Sequence, residues 1–193
     1  LEEKFNIDFS QPNILLIQHP VTTESGSSRN QILTTIEVIN EMGIQALVAL
    51  PNNDAGSHVI RRGLEQARTA DTFVFENLTR SDYLAFMAYC GCMVGNSSSG
   101  LLEAPTFKIA TVNIGRRQAD RVQGPNVINA PITRGAVAPA IHQALSNEFQ
   151  RSLENCANPY GDGQSSGRIL DVLEATPVDD RLLIKKIVYP AVV

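Results

Sequence analysis

The chain has 193 residues, of which 43% are apolar and 19% charged, and this suits one domain with a substantial buried core. Sixteen basic residues stand against twenty acidic ones, and the net charge of -4 argues against nucleic acid or anionic lipid as a partner. No apolar run approaches the roughly 18 residues that a membrane span needs, so we expect no membrane partner either.

Short apolar runs alternate with longer amphipathic stretches in chain order. The first run, Ile14-Leu15-Leu16-Ile17-Gln18, predicts a strand, and a helix with apolar residues from Ile32 to Ile39 on one face follows it and ends at Gly43. The alternation continues with further strands predicted at 45–50, 72–75, 92–94, 109–114 and 126–129, and with helices at about 57–68, from Ser81 and Asp82 onward, after Gly100, at 136–153 and at 167–173.

This alternation predicts the fold class. About six strands at roughly 30-residue spacing, each followed by a helix or loop, indicate a mostly parallel sheet with helices on both faces. The strands are continuous apolar runs, as expected when both faces of a sheet are covered. We therefore expect an α/β, three-layer, Rossmann-like domain with a sheet of about six strands.

Three cysteines bear on the compartment and on metal binding. Cys90, Cys92 and Cys156 are an odd number and too few for a disulfide framework, which favours a reducing compartment and predicts a cytoplasmic protein. Cys90 and Cys92 have no second Cys or His pair at ligand spacing, so we expect no metal site and no cofactor. The chain begins at Leu1 within an acidic, polar stretch, and we interpret it as a fragment of a longer protein.

Polar residues follow four of the predicted strands at their carboxyl ends, where open parallel sheets bind ligands. His19 follows the first strand, Asn52 the second, Ser97 and Ser98 the fourth, and Arg117 the fifth. A purely structural set of loops would need the glycine, asparagine and serine residues but not the histidine and arginines. One shared site is the most economical explanation.

The run Gly95-Asn96-Ser97-Ser98-Ser99-Gly100 is the most informative of these segments. A turn rich in glycine and serine between a strand and a helix exposes N–H groups and hydroxyls that bind phosphate. The alternative is an ordinary loop in which one serine caps the helix. The run is neither a Walker A loop nor a GxGxxG motif.

Glu103, Arg117 and His19 each allow a functional and a structural interpretation. The Glu103 carboxylate could accept hydrogen bonds from a ribose diol, or could be a favourable charge near a helix N-terminus. Arg117 could neutralise a diphosphate, or could be a solvated surface residue. His19 could donate to a phosphate, assist proton transfer or be a structural hydrogen-bonding residue, whereas His58 and His142 fall in helical stretches.

Five segments, taken together and in order, resemble the carboxyl-terminal domain of the UDP-N-acetylglucosamine 2-epimerase family over nearly the whole chain. They are Gln18-His19-Pro20-Val21-Thr22-Thr23-Glu24, Pro51-Asn52-Asn53-Asp54-Ala55-Gly56, Gly95-Asn96-Ser97-Ser98-Ser99-Gly100, Asn113-Ile114-Gly115-Arg116-Arg117-Gln118 and Asn158-Pro159-Tyr160-Gly161-Asp162-Gly163. The His-Pro-Val-Thr-Thr and Gly-Asn-Ser-Ser-Ser forms are more similar to the hydrolysing branch of that family.

The resemblance implies one half of a two-domain enzyme with the glycosyltransferase-B architecture. Hydrolysing members convert UDP-N-acetylglucosamine or a related UDP-sugar to UDP and the 2-epimeric sugar by elimination and then hydration. Residues 1–193 would be the UDP-binding half, and helices at 167–193 would cross toward the absent amino-terminal half, which carries the acid/base carboxylates. The full-length enzyme would be a homodimer or a higher homo-oligomer, and the fragment alone would be inactive.

The resemblance also implies a role for seven residues. His19, the catalytic candidate, would face the diphosphate and the reacting sugar, while the other six would bind the substrate: Asn52 the nucleotide, the backbone near Leu78 the uracil edge, Ser97 and Ser98 the diphosphate, Glu103 the ribose hydroxyls and Arg117 the phosphates. Arg116 stands where the family pattern leads us to expect Thr, so which of the two arginines faces the site is left open.

Two other functions fit the same residues. One is a stand-alone module that binds a nucleotide sugar, and the presence of a second α/β domain upstream would favour the enzyme over it. The other is half of a glycosyltransferase of the same architecture, which would transfer the sugar to an acceptor instead of releasing it. The sequence leaves open which UDP-sugar is bound.

Overall fold

The computed structural model describes residues 1–184 and 187, and its contacts divide the chain into two units, Leu1–Pro159 and Tyr160–Val193. The strands are β1 Asn13–Ile17, β2 Gln45–Ala49, β3 Thr72–Phe75, β4 Cys92–Gly95, β5 Thr111–Ile114 and β6 Val127–Ala130. The α-helices are α1 Glu2–Phe5, α2 Ser28–Glu41, α3 Ser57–Ala67, α4 Arg80–Tyr89, α5 Ser99–Leu102, α6 Arg134–Leu145, α7 Asn147–Ser152, α8 Ser165–Ala175 and α9 Asp180–Leu183, and two 3-10 helices span Thr22–Ser27 and Ala104–Phe107.

All six strands form one parallel sheet in the order β3-β2-β1-β4-β5-β6. Every connection is a crossover, because parallel neighbours cannot be joined by a tight hairpin. The chain builds outward from β1 in one direction through β2 and β3, and then from β4 in the other direction. The predicted fold class, a Rossmann-like α/β domain with about six parallel strands, is confirmed.

The core lies on both faces of this sheet, which makes the first unit three-layered. Alternate residues of β1 point to opposite faces: Ile14 and Leu16 belong to one buried cluster, and Leu15 and Ile17 to the other. The first cluster packs against α2, α3 and α6, and the second against α4 and the 3-10 helix Ala104–Phe107. Burial on both faces explains why the strands read as continuous apolar runs.

Three local predictions differ from the structure. The N-cap of α4 is Thr79, whose hydroxyl accepts the N–H of Asp82, so the helix begins before Ser81. The helix predicted at 136–153 is two helices, because Ser146 adopts an extended backbone (ψ 142°) and its side chain caps α7. The fifth strand begins at Thr111 rather than at residue 109. In contrast, Gly43 ends α2 as predicted, with φ 64°.

The second unit contains α8 and α9. The helix predicted at 167–173 lies within α8, whose residues Ile169, Leu170, Val172 and Leu173 are each more than half exposed. The part of the predicted 167–193 segment at 185–186 and 188–193 lies outside the described residues. Within the described part of the chain, every helix is too short or too polar to traverse a lipid bilayer.

Candidate functional site

The candidate site lies at the carboxyl edge of the sheet, around the point where the strand order reverses. β1 and β4 are neighbours, but the chain leaves them in opposite directions, β1 toward β2 and β4 toward β5. This reversal opens a crevice beyond the strand ends, which is the usual ligand position in doubly wound folds. His19 follows β1 and Asn96 follows β4, so these residues flank the crevice.

The ring of His19 is oriented by the loop after β2. Its Nδ1 atom accepts a hydrogen bond from the backbone N–H of Asn52 at 3.2 Å. A neutral imidazole whose Nδ1 accepts must carry its proton on Nε2, so His19 offers a donor at that atom. Burial, and second the positive charge of Arg117, lower the pKa of His19, while the side chains of Asn52 and Asp54 act in the opposite direction. The neutral, Nε2-protonated ring is therefore the form favoured at neutral pH.

Asn96 connects three strand ends and is the residue that the sequence interpretation missed. Its side-chain amide forms hydrogen bonds with both backbone groups of His19: the oxygen accepts from the N–H at 2.7 Å, and the nitrogen donates to the carbonyl at 2.9 Å. Its own carbonyl accepts from Arg117 Nη1 at 3.1 Å and from Gln118 Nε2 at 2.8 Å. Asn96 lies within the glycine- and serine-rich run, but nothing local in that run identifies its partners.

The two arginines after β5 point to different places. Arg117 is half-buried and reaches Asn96, close enough to His19 to lower the pKa of that histidine. Arg116 is exposed and forms an ion pair with Glu24. Of the two arginines, Arg117 is therefore the one that contacts the Asn96 segment after β4, and its assignment to the site stays a prediction.

The serine-rich turn is held by its own hydroxyls. Ser97 Oγ donates to Ser99 Oγ at 3.2 Å and accepts the N–H of Ser99 at 3.3 Å. Ser98 is the N-cap of α5, but its side chain makes no capping bond. Because α5 spans only four residues, its helix dipole is small, and any anion here would depend on the N–H groups and hydroxyls themselves.

Glu103 and Leu78 have partners that differ from those of His19. Glu103 directly follows α5 and forms an ion pair with Arg80 at 3.3 Å, and its side chain is 27% exposed. Leu78 lies between β3 and α4 and packs, half-buried, on the second core cluster. Burial, with Glu103 as a smaller contribution, raises the pKa of Tyr83 to about 12. The sequence missed both Arg80 and Tyr83.

The late motif supports the segment that carries Glu103. The side chain of Asn158 donates to the carbonyl of Leu102 at 2.8 Å and to the hydroxyl of Thr106 at 2.8 Å. These bonds attach the residues on either side of Glu103 to a loop more than 50 residues away. The structure therefore links His19 and Arg117 through Asn96 and Asn52 through His19, whereas Glu103 pairs with Arg80 and Leu78 packs on the second core cluster.

The cysteines are consistent with the interpretation as small buried side chains. Cys90 and Cys92 are buried free thiols, and burial raises the pKa of Cys90 to about 12 and that of Cys92 well above its ordinary value. Within residues 1–184 and 187, no three His, Cys, Asp or Glu side chains are grouped as a metal site would require.

The fold and the edge just described define a Rossmann-like domain with a polar crevice at its switch point, the class of domain that binds nucleotides. The family model for UDP-N-acetylglucosamine 2-epimerase matches residues 1–174 of the chain. The chain therefore belongs to the UDP-N-acetylglucosamine 2-epimerase family.

Two curated relatives illustrate the similarity. The chain is 32% identical over 184 residues to UDP-N,N'-diacetylbacillosamine 2-epimerase (hydrolyzing) of Legionella pneumophila. The matched region is 95% of this chain and 48% of the relative. The chain is 34% identical over 149 residues to polysialic acid biosynthesis protein P7 of Escherichia coli, covering 76% and 38% respectively. The chain thus spans about half the length or less of the curated relatives it matches.

Solved structures share the fold. The S. aureus MnaA-UDP co-structure matches with a TM-score of 0.69 and 16% identity over 90% of this chain and 46% of that one. The UDP-GlcNAc 2-epimerase from Neisseria meningitidis bound to UDP-GlcNAc matches with a TM-score of 0.66 and 16% identity, over 91% of this chain and 47% of that one. This chain has the fold of about one half of each.

Proposed function

We propose that the chain is the nucleotide-binding half of a hydrolysing UDP-sugar 2-epimerase. The observation that carries the proposal is that His19 and Arg117 both form hydrogen bonds with Asn96 at the switch point of the sheet. The chain that carries this arrangement belongs to the 2-epimerase family. A guanidinium and a ring N–H on one side of the crevice, with serine hydroxyls beside them, suit a diphosphate. The relatives from Legionella pneumophila and Campylobacter jejuni are both named as hydrolysing enzymes, which supports that branch.

The proposed roles divide the residues into two groups, one for the diphosphate and one for the nucleoside. The first group, His19, Arg117, Ser97 and Ser98, faces the diphosphate, with Asn52 holding the nucleotide. The second group binds the nucleoside, Glu103 the ribose hydroxyls and the backbone near Leu78 the uracil edge. Glu103 is suited to this role because its carboxylate is partly exposed and is oriented by Arg80 from one side.

The proposed chemistry divides between this chain and the other half of the protein. Elimination breaks the bond between the sugar and the diphosphate and removes the proton on carbon 2 of the sugar. The Nε2–H of His19 can donate to the departing diphosphate, and Arg117 can offset its charge. Neither group is suited to take the carbon proton, because His19 already uses Nδ1 as an acceptor. That base, and the addition of water to the intermediate, belong to carboxylates outside this chain.

We also propose a two-domain, glycosyltransferase-B arrangement for the full-length protein. The relatives are about twice as long as this chain, and the exposed apolar residues of α8 offer a surface for the other half. In this proposal the segment at 167–193 contacts that half, which lies across the crevice. An exposed apolar helix face of this kind commonly marks an interface.

The cellular setting is part of the same proposal. The full-length enzyme would be a homodimer or a higher homo-oligomer and would act in the cytoplasm, in amino-sugar or sialic acid biosynthesis. Support comes from the free, buried thiols of Cys90 and Cys92 and from the similarity to a polysialic acid biosynthesis protein. UDP-N-acetylglucosamine and its diacetamido-trideoxy relative are both open as substrates.

A calorimetric titration of UDP into this chain, with UMP and ADP alongside, tests the proposal. We expect weak binding that prefers UDP and that Glu103→Ala reduces by about fivefold or more, because a hydrogen-bonded charge is lost. Glu65→Ala, at an exposed position of α3, is the matched control and should leave binding unchanged. The proposal would be overturned if neither this chain nor the full-length protein bound UDP at millimolar concentration.

A further inference from the structure

The pairing of β1 with β4 stops just before the residues of the site. The last paired residues are Ile17 and Gly95, and the N–H of Asn96 still donates to the carbonyl of Ile17 at 3.1 Å. Beyond that point the two chains separate toward different loops. His19 therefore lies past the region that the sheet itself holds in place, and its backbone must be held by other bonds.

The Asn96 side chain supplies those bonds. Its side-chain oxygen accepts the N–H of His19 and its side-chain nitrogen donates to the carbonyl of His19, so one amide group satisfies both backbone groups of that residue. Asn96 is 2% exposed, so these bonds are shielded from competing water. Hydrogen bonds in such an environment restrict the position of the residue that they hold.

The backbone of the same residue holds the second group of the site. The carbonyl of Asn96 accepts from Arg117 and from Gln118, and Gln118 is 1% exposed. His19 and Arg117 are 98 residues apart in the chain, and both form hydrogen bonds with Asn96 at the end of β4. The distance between the imidazole and the guanidinium thus depends on Asn96.

We propose that Asn96 is a positioning residue, which sets the His19 ring and the Arg117 guanidinium at the spacing that a nucleoside diphosphate requires. The inference rests on the proposed function for the identity of the ligand, but not for the positioning itself. Asn96 contacts no reacting atom in this scheme; it acts through His19 and Arg117.

The first test needs no ligand. NMR of the His19 imidazole nitrogens reports both the pKa and the tautomer of the ring. Around the ring stand Arg117, Asp54 and the N–H of Asn52, and all three remain in Asn96→Ala. We expect that variant to lose the preference for Nε2–H and to shift the His19 pKa upward, because a ring released from its place becomes more exposed to water.

Asn13→Ala is the matched control. Asn13 is an equally buried asparagine, 4% exposed, at the amino end of the same strand β1, far along the strand from His19. It should lower the melting temperature as a buried asparagine does, while leaving the His19 tautomer and pKa unchanged. Asn96→Ser, whose hydroxyl can replace one of the two lost hydrogen bonds, should fall between wild type and Asn96→Ala and provides the comparison if the alanine variant does not fold.

The second test is a double-mutant cycle on UDP affinity. We expect Asn96→Ala to weaken UDP binding by about tenfold in the presence of His19 and by less than about twofold in His19→Ala, because the side chain acts through that residue. An unchanged His19 tautomer and pKa in both Asn96 variants, or equal effects of Asn96→Ala in the two backgrounds, would overturn the proposal. If wild type binds no UDP, the proposed function fails, and the imidazole measurement still decides the role of Asn96.

Discussion

Arg116 and Arg117 are adjacent in the chain but have different surroundings, so alanine substitutions at the two positions form a matched pair. Arg117 reaches Asn96 beside the crevice, whereas Arg116 pairs with Glu24 at an exposed position. We expect Arg117→Ala to weaken UDP binding by about tenfold or more, since a charged hydrogen-bond donor to the diphosphate is lost. Arg116→Ala should change the affinity by less than about threefold, because exposed ion pairs contribute little. Calorimetric titration of UDP into both variants measures the two affinities, and equal losses of affinity would contradict the assignment of Arg117 to the diphosphate.

The protonation of His19 predicts a pH dependence of stability. Its pKa is lowered in the folded state, so the unfolded chain, with a pKa near 6.5, binds the proton more tightly. The unfolding free energy contributed by this group is complete above about pH 6.5 and decreases as the pH falls through the lowered folded-state pKa.

Urea unfolding at pH 7.5 and pH 5 measures this effect. We expect wild type to lose more stability between the two pH values than His19→Gln, whose side chain does not titrate. The carboxylates titrate in both proteins, so the difference between the two losses isolates the histidine. A larger loss in His19→Gln would mean that the ring is protonated more easily in the folded state than in the unfolded chain.

At the scale of the elements, the close approach of β1 and β4 depends on Gly95. This residue has φ 128°, and a Cβ atom there would overlap the carbonyl of Ile17 on β1. We expect Gly95→Ala to lower the unfolding free energy by about 2–4 kcal/mol, from backbone strain and the overlap together. Gly135→Ala, in the first turn of α6 with no atom near the added methyl, should lie within about 1 kcal/mol of wild type. Denaturant titrations of both variants make the comparison, and similar losses would exclude this account.

At the scale of the whole molecule, the division of chemistry between two halves predicts an inactive fragment. This chain holds groups suited to the diphosphate, but the base for the carbon proton is expected elsewhere. We expect no release of UDP from UDP-N-acetylglucosamine or its diacetamido relative above the uncatalysed rate, and turnover by the full-length protein. A coupled assay for UDP measures both, and turnover by the fragment alone would contradict the division.

Much of the first unit could be predicted from local patterns. The continuous apolar runs at β1, β2 and β4 are strands buried on both faces, and the one-sided apolar spacing from Ile32 to Ile39 is α2. These patterns are visible because burial on a strand or helix repeats with the period of that element. The boundaries were less predictable: Thr79 and Ser146 start helices through side-chain bonds that several residues of the sequence can make equally well.

The sequence by itself determined the class of fold, the edge of the sheet where the polar residues gather and the family resemblance. The roles of the individual site residues stay predictions. The tertiary structure alone decided that Arg117 rather than Arg116 donates to the carbonyl of Asn96, and that the Asn96 side chain forms hydrogen bonds with His19 across 77 residues of chain. The physical reason is the strand order: β1 and β4 become neighbours only when the sheet forms, and periodicity records whether a residue is buried but not which residue it meets.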